Sequence, residues 1–269
     1  MHGLGNDFII FDNVKNSIIY DSKFIKKISN RRIGIGCDQV LIIEDTNNPE
    51  NFEVKIYNSD GSETGACGNG TRCVAELLGK EKNKNTITLT TLSGHLKSHI
   101  LGEKLVSTEI GLGRTKWNEI PLSEELETKN LNIKIFDSNN NEFFGGTAVN
   151  VGNPHIIFFV EDNEKFEIEK IGPEIENHKL FPEKCNVTIA TIINKELIKV
   201  KVWERGAGLT KACGTAACAT AYAAKQAGLT SNKIDIEFST GRLTISIDEN
   251  NSIHMKGPVS DIKEINIEI

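Results

Sequence analysis

Two cysteines in this chain stand in matching surroundings. Cys67 is followed by Gly68-Asn69-Gly70-Thr71, and Cys213 by Gly214-Thr215. Each closes a glycine-rich loop and opens a helix-forming stretch, Val74-Ala75-Glu76-Leu77-Leu78 in the first case and an alanine-rich run in the second. A helix N-terminus presents unpaired backbone N–H groups and a partial positive charge. A cysteine there is expected to lose its proton more readily, and a carboxylate finds ready donors. Two such helix starts facing each other hold a carboxylate and leave the carbon beside it between two sulfurs. One sulfur removes a proton from one face of that carbon, and the other returns a proton to the opposite face. The charge pushed onto the carboxylate is met by the helix ends. One sulfur must be thiolate while the other is thiol, so the pair is expected to titrate as a unit. Taken singly, each cysteine reads as a small buried hydrophobe; the duplicated context is what favours proton transfer.

The duplication extends beyond the cysteines. Gly5-Asn6-Asp7-Phe8-Ile9-Ile10-Phe11 returns as Gly152-Asn153-Pro154-His155-Ile156-Ile157-Phe158, 147 positions later. Ala66-Cys67-Gly68 returns as Ala212-Cys213-Gly214, and Gly94-x-Leu96 as Gly241-x-Leu243, at nearly the same offset and in the same order. An internal repeat of this length implies two similarly folded halves. Residues 1–116 form the half carrying Cys67 and 117–269 the half carrying Cys213, with the strand-like tail Ile262–Ile269 returning to the first half. The polar stretch Asp137-Ser138-Asn139-Asn140-Asn141 reads as a loop ahead of the second copy.

The elements that must position the cysteines follow from local pattern. Val54-Lys55-Ile56-Tyr57 and Lys199-Val200-Lys201-Val202-Trp203 alternate as half-buried strands. Asn58-Ser59-Asp60-Gly61 is turn chemistry, and Glu204-Arg205-Gly206-Ala207-Gly208 is the matching loop. The second helix is expected to stop before Gly228. Thr86–Thr91 and Ile234–Phe238 read as strands. The fold class is therefore α+β: two halves related by pseudo-two-fold symmetry, each a mostly antiparallel, barrel-like sheet around a central helix.

Bulk properties narrow the functions. The 269 residues carry 31 Lys and Arg against 37 Asp and Glu, a net charge of −6. Dispersed mild acidity argues against a nucleic-acid partner, which requires a basic face. No apolar run approaches the roughly 18 residues of a membrane span, and the start, Met1-His2-Gly3-Leu4-Gly5, lacks a signal-peptide pattern. A cytoplasmic protein with reduced thiols is expected. Cys73, Cys218, Cys37 and Cys185 read as structural. No metal is expected, because Cys67-x5-Cys73 and Cys213-x4-Cys218 match no common zinc spacing.

At these residues the chain resembles the diaminopimelate epimerase family over nearly its full length. The motifs are His2-Gly3-Leu4-Gly5-Asn6-Asp7-Phe8, Asn58-Ser59-Asp60-Gly61-Ser62, Ala66 to Cys73, Gly152-Asn153-Pro154-His155, Trp203-Glu204-Arg205-Gly206 and Ala212-Cys213-Gly214-Thr215. The resemblance implies an enzyme without PLP or any other cofactor that interconverts LL- and meso-diaminopimelate, on the path to lysine and peptidoglycan. It also implies a homodimer. By position, Cys67 and Cys213 are then the acid/base pair, with His155 and Glu204 supporting the reacting centre. Asn6, Gln39, Asn58, Asn153, Asn186 and Arg205 are the ligands of the small-molecule substrate, and Gly68, Asn69, Gly214 and Thr215 supply contacts at the helix starts. A single Arg suits a distant carboxylate through bidentate geometry, and neutral amides orient charged groups without a like-charge penalty.

Two departures from the family pattern stand out. Members usually carry a short strand before Met-His-Gly-Leu-Gly, where this chain begins, so a less secured first sheet is expected. Leu209 and Lys211 replace residues common in the family. Three rivals share parts of the pattern. A proline or hydroxyproline racemase uses the same two-thiol logic but usually has histidine where Asn69 stands. A thiol hydrolase would pair one cysteine with His155 through a covalent intermediate. A non-catalytic amino-acid-binding module would bind ligand without moving its proton.

Overall fold

The computed structural model describes every residue except Ser17, Asn47, Pro49, Glu50, Ala66, Glu103, Glu268 and Ile269. Ala66, part of the first cysteine motif, and the last two residues of the tail thus lie outside the described residues. The chain divides into two compact units. The first comprises Met1–Glu109 with Lys256–Ile269, and the second comprises Ile110–Met255.

In the first unit the strands are β1 (His2–Gly3), β2 (Asn6–Asp12), β3 (Gln39–Glu44), β4 (Asn51–Asn58), β5 (Glu63–Thr64), β6 (Thr86–Thr91), β7 (Gly94–Ile100) and β8 (Leu105–Leu112). The helices are α1 (Asn13–Asn16), α2 (Ser22–Ser29) and α3 (Gly68–Lys82). β2 runs parallel to β3, β3 antiparallel to β4, β4 parallel to β6 and β6 antiparallel to β7. β5 folds back on β4. β3 is buried on both faces because it is sandwiched. Leu41 and Ile43 meet Val74, Ala75 and Leu78 of α3. Val40 and Ile42 meet Ile25 and Ile28 of α2. A strand covered twice reads as a continuous apolar run, which Val40-Leu41-Ile42-Ile43 is. In β4 one face alone is covered, and Phe52, Val54 and Ile56 alternate inward. α3 ends at Asn83, whose left-handed backbone (φ +53°) lets its N–H bond the Gly79 carbonyl.

The second unit repeats this order with β9 (Ile133–Phe136), β10 (Glu142–Gly145), β11 (Thr147–Asn150), β12 (Pro154–Phe159), β13 (Asn186–Asn194), β14 (Leu197–Glu204), β15 (Gly208–Thr210), β16 (Lys233–Phe238), β17 (Gly241–Ile247) and β18 (Ser252–Pro258). Its helices are α4 (Ile168–Glu176) and α5 (Gly214–Gln226). β12 is parallel to β13, β13 antiparallel to β14, β14 parallel to β16 and β16 antiparallel to β17, with β15 folded on β14. The registers coincide as well. Phe8 faces Gln39, and His155 faces Asn186. Ile56 faces Thr64, and Val202 faces Thr210. α5 packs against β11, β12, β13 and β17. It is buried all round, from Ala216 to Ala224, so it is a central helix with no solvent face. α4 covers the other side of the sheet through Ile168, Ile171 and Ile175, as α2 does in the first unit.

Two expectations change. The polar stretch 137–141 is the turn of the β9–β10 hairpin inside the second unit, with Asp137 accepting from the Asn139 and Asn141 amides. Asx chemistry made it a turn, as expected, but it joins two strands of one unit. The tail forms no strand among its described residues. Val259 is buried in the first unit's core and its N–H bonds the Lys104 carbonyl, while the Ser260 N–H bonds the His2 carbonyl. Among the described residues beyond Asp261 no isoleucine joins a ladder; Ile265 is exposed, while Ile267 packs against the cluster of Ile25, Ile28, Val40 and Ile42, so the tail returns to the first unit without forming a strand. Cys37, Cys73, Cys185 and Cys218 are all buried. No described helix is long and apolar enough to cross a membrane.

Candidate active site

Cys67 is the N-cap of α3. Its backbone is extended, and its Sγ accepts the Gly70 N–H at 3.3 Å, using one of the donors that a helix start leaves unpaired. Gly70 is required for this approach, since a Cβ there would stand 2.8 Å from Leu41 Cδ2 and 3.3 Å from the sulfur. The Asn6 amide also meets the sulfur, with Sγ–H donating to Oδ1 at 3.9 Å. On the neighbouring strand ends Gln39 stands opposite Asn58 and donates to its Oδ1 at 3.0 Å. The Asn58 Nδ2 is taken up by Ser62. Asn6, Gln39 and Asn58 thus stand on neighbouring strand ends of the first unit, and of the three Asn6 is the one shown to meet Cys67. The Asn69 side chain is buried, and its Oδ1 accepts from Arg72 Nη2 at 2.6 Å.

Cys213 caps α5 in the same extended conformation. Its Sγ lies 3.4 Å from Thr215 Oγ1. The helix start was expected to ease loss of its proton. Here burial dominates and pushes the thiol well above the ordinary range, and the charge of the adjacent Glu204 carboxylate adds to it. Thr215 and the Ala216 N–H oppose this without reversing it. The sulfur is accordingly held as a thiol, because a desolvated anion beside a carboxylate is costly. Burial also pushes Glu204 upward, opposed by the neighbouring Thr210 hydroxyl and Cys213 thiol.

His155, on β12, is fully buried, and its Nε2 is 2.8 Å from Asn153 Oδ1. Burial, with a smaller contribution from the Arg205 charge, pulls its pKa down to about 3, so the ring is neutral at physiological pH. Its Nδ1 has no hydrogen-bond partner among the described residues. An acceptor nitrogen left dry in this way is available to a bound polar group. Asn186, expected to touch substrate, faces His155 across the ladder; its Nδ2 donates to the Pro154 carbonyl at 3.0 Å and its Oδ1 accepts the Arg205 N–H at 3.0 Å. It holds the Arg205 backbone. The Arg205 guanidinium is exposed and donates to the Glu183 carbonyl at 2.7 Å.

Two groups of supporting residues escaped the sequence reading. Glu176 receives the Trp203 indole N–H and the Gly206 amide, bracketing Glu204 and Arg205. Asp38 receives the Asn6 amide and the Asp7 N–H, and Arg31 bridges Asp38 and Asp7. The adjacency of Asp38 to Gln39 was the available signal for Asp38. Nothing in the pattern of α4 marked Glu176.

The chain as a whole is similar to known proteins. The family model described as diaminopimelate epimerase matches residues 1–116 and 147–262. A diaminopimelate epimerase of Pelagibacter ubique is 62% identical over 269 residues, covering 100% of this chain and 97% of its own length. That of Zymomonas mobilis is 41% identical over 260 residues, covering 97% of this chain and 93% of its own. Among solved structures, a hydroxyproline epimerase from Agrobacterium vitis superposes with a TM-score of 0.66 at 12% identity, over 96% of this chain and 86% of that one. A phenazine biosynthesis protein from Bacillus anthracis gives 0.66 at 13% identity, over 100% and 95%. At such identities these two share the fold alone.

Proposed function

The chain belongs to the diaminopimelate epimerase family, and we propose that it interconverts LL- and meso-2,6-diaminopimelate by moving one α-proton between two cysteines. The observation that carries this reading is the repetition of a cysteine at the N-cap of α3 and again at the N-cap of α5, each among the same strand ends.

In the reaction one sulfur, as thiolate, takes the α-proton, so a C–H bond breaks and an S–H bond forms. The electron pair moves onto the α-carboxylate, which the N–H groups of the helix starts at Gly68-Asn69 and Gly214-Thr215 stabilise. The other sulfur gives its proton to the opposite face and becomes the thiolate. No electrons are gained or lost, and the thiols supply both acid and base, so no PLP is required. Cys213, held protonated by burial and Glu204, suits the donor role on entry. Asn6, Gln39, Asn58 and Asn153 orient the ammonium and carboxylate groups. Neutral His155 offers a polar nitrogen without adding charge, and Arg205 takes the distant carboxylate through its planar fork. Asn186 acts through the Arg205 backbone it holds. The reading includes a cytoplasmic enzyme of lysine and peptidoglycan-precursor synthesis, working as a homodimer.

The test is turnover of LL-diaminopimelate in heavy water. Solvent deuterium is expected at the inverted α-carbon of the meso product. Binding without deuterium uptake would leave only an amino-acid-binding module, and inversion of proline or hydroxyproline instead would reassign the substrate.

A further inference from the structure

Asp38 is neither at a helix start nor in contact with either sulfur, yet three groups converge on it. Its Oδ2 accepts the Asp7 N–H at 2.8 Å and the Asn6 Nδ2 at 3.1 Å, and its Oδ1 accepts from Arg31 Nη2 at 2.9 Å. Arg31 also holds Asp7 at 3.0 Å. An ionised carboxylate only accepts, so the amide of Asn6 must turn its nitrogen toward Asp38. The carbonyl oxygen is then the end that meets Cys67 Sγ, 3.9 Å away. A carbonyl facing a sulfur favours the thiol, which donates to it, over the thiolate, which it repels.

We propose that Asp38 is a positioning residue for Cys67: by fixing the orientation of the Asn6 amide it keeps a hydrogen-bond acceptor aimed at the sulfur and so holds the proton there until the amide is displaced or turned. This deepens the two-thiol reading above and rests on it for its catalytic meaning. Burial alone would push the Asp38 carboxyl up, but the Asp7 N–H, the Asn6 amide and Arg31 outweigh burial and hold it below the usual carboxylate range, so it stays an acceptor. Other charges of this corner are engaged elsewhere. The Met1 ammonium donates to the Phe8 carbonyl at 3.1 Å, and Arg72 Nη1 to the Gly68 carbonyl at 3.1 Å. The second copy of the repeat lacks the device, since Cys185 stands where Asp38 does and Asn153 is bonded by His155 instead.

The test is the pH profile of Cys67 alkylation by iodoacetamide, read by peptide mapping of the full-length protein without substrate. In Asp38→Asn the Asn6 amide is freed to turn its nitrogen to the sulfur. The profile is expected to move about one pH unit lower, with alkylation at pH 7 about tenfold faster. The same substitution in an Asn6→Leu background separates orientation from charge, because a positioning role leaves no further effect there. An equal acceleration in both backgrounds means that Asp38 acts by its field alone and overturns the proposal, as does an unchanged profile in Asp38→Asn. Should Asp38→Asn fail to fold, the exchange Asn6→Asp with Asp38→Asn keeps one donor and one acceptor across the pair. That protein is expected to react as slowly as the native one, and fast reaction overturns the proposal. A shifted profile with no deuterium uptake would remove the epimerase reading and leave the positioning intact; the reverse result would do the opposite.

Discussion

The Trp203 indole nitrogen donates to Oε2 of Glu176 at 2.8 Å, while Oε1 of the same carboxylate accepts the Gly206 amide at 3.1 Å. One buried side chain on α4 thus clamps both ends of the segment that carries Glu204 and Arg205. Glu176→Ala leaves an indole N–H and a backbone N–H without their acceptor, which is expected to lower stability by about 1–3 kcal/mol. Urea unfolding followed by tryptophan fluorescence reads this, and a fall in kcat exceeding the loss of folded protein reports the displaced loop.

Cys67→Ala and Cys213→Ala are each expected to abolish epimerisation, by about 10²–10⁴-fold or more, because each removes a proton-transfer group. Far-ultraviolet circular dichroism is expected to remain native, since a small side chain at an N-cap is lost in each case. Substantial turnover in either variant would sink the two-thiol assignment.

Glu204→Gln removes the carboxylate charge beside Cys213. The thiol then loses one of the two main causes that raise it, burial being the other. Its titration is expected to move to lower pH, so alkylation of Cys213 at a fixed pH near 8 accelerates. Each unit of displacement is about tenfold in thiolate at pH values below the titration midpoint. Epimerase activity is expected to fall, because the donor proton is no longer held.

His155 has a folded pKa of about 3, set first by burial, against an ordinary histidine near 6.5. Between those values the unfolded chain binds the proton and the folded chain does not. Stability therefore rises with pH through that window and is lost as pH falls from about 6.5 toward 3, by up to about 1.4 kcal/mol per pH unit. His155→Phe, which copies the residue at the matching position of the first unit, Phe8, is expected to flatten that dependence in melting experiments from pH 4 to 7. An unaltered slope would show that other groups govern acid unfolding.

The sequence by itself determined the duplicated architecture and the place of both cysteines. Glycine turns, strand alternation and N-cap positions are local, and a second copy at a nearly constant offset turns a weak local signal into a strong one. The pairings of Gln39 with Asn58 and of His155 with Asn186 came only with the strand registers. The matching of α2 with α4 was also present at the same spacing, but neither helix bears a chemical motif to draw attention to it.

Tertiary structure decided what each polar side chain spends its hydrogen bonds on. Asn69 accepts from Arg72, and Asn186 bonds the backbones of Pro154 and Arg205. Asp38 meets Asn6, 32 positions earlier, and Glu176 meets Trp203, 27 positions later. The protonation of Cys213 was decided the same way. A helix start favours the thiolate, but the depth of burial and the distance to Glu204 outweigh it, and both are set by chain packing that no local pattern encodes.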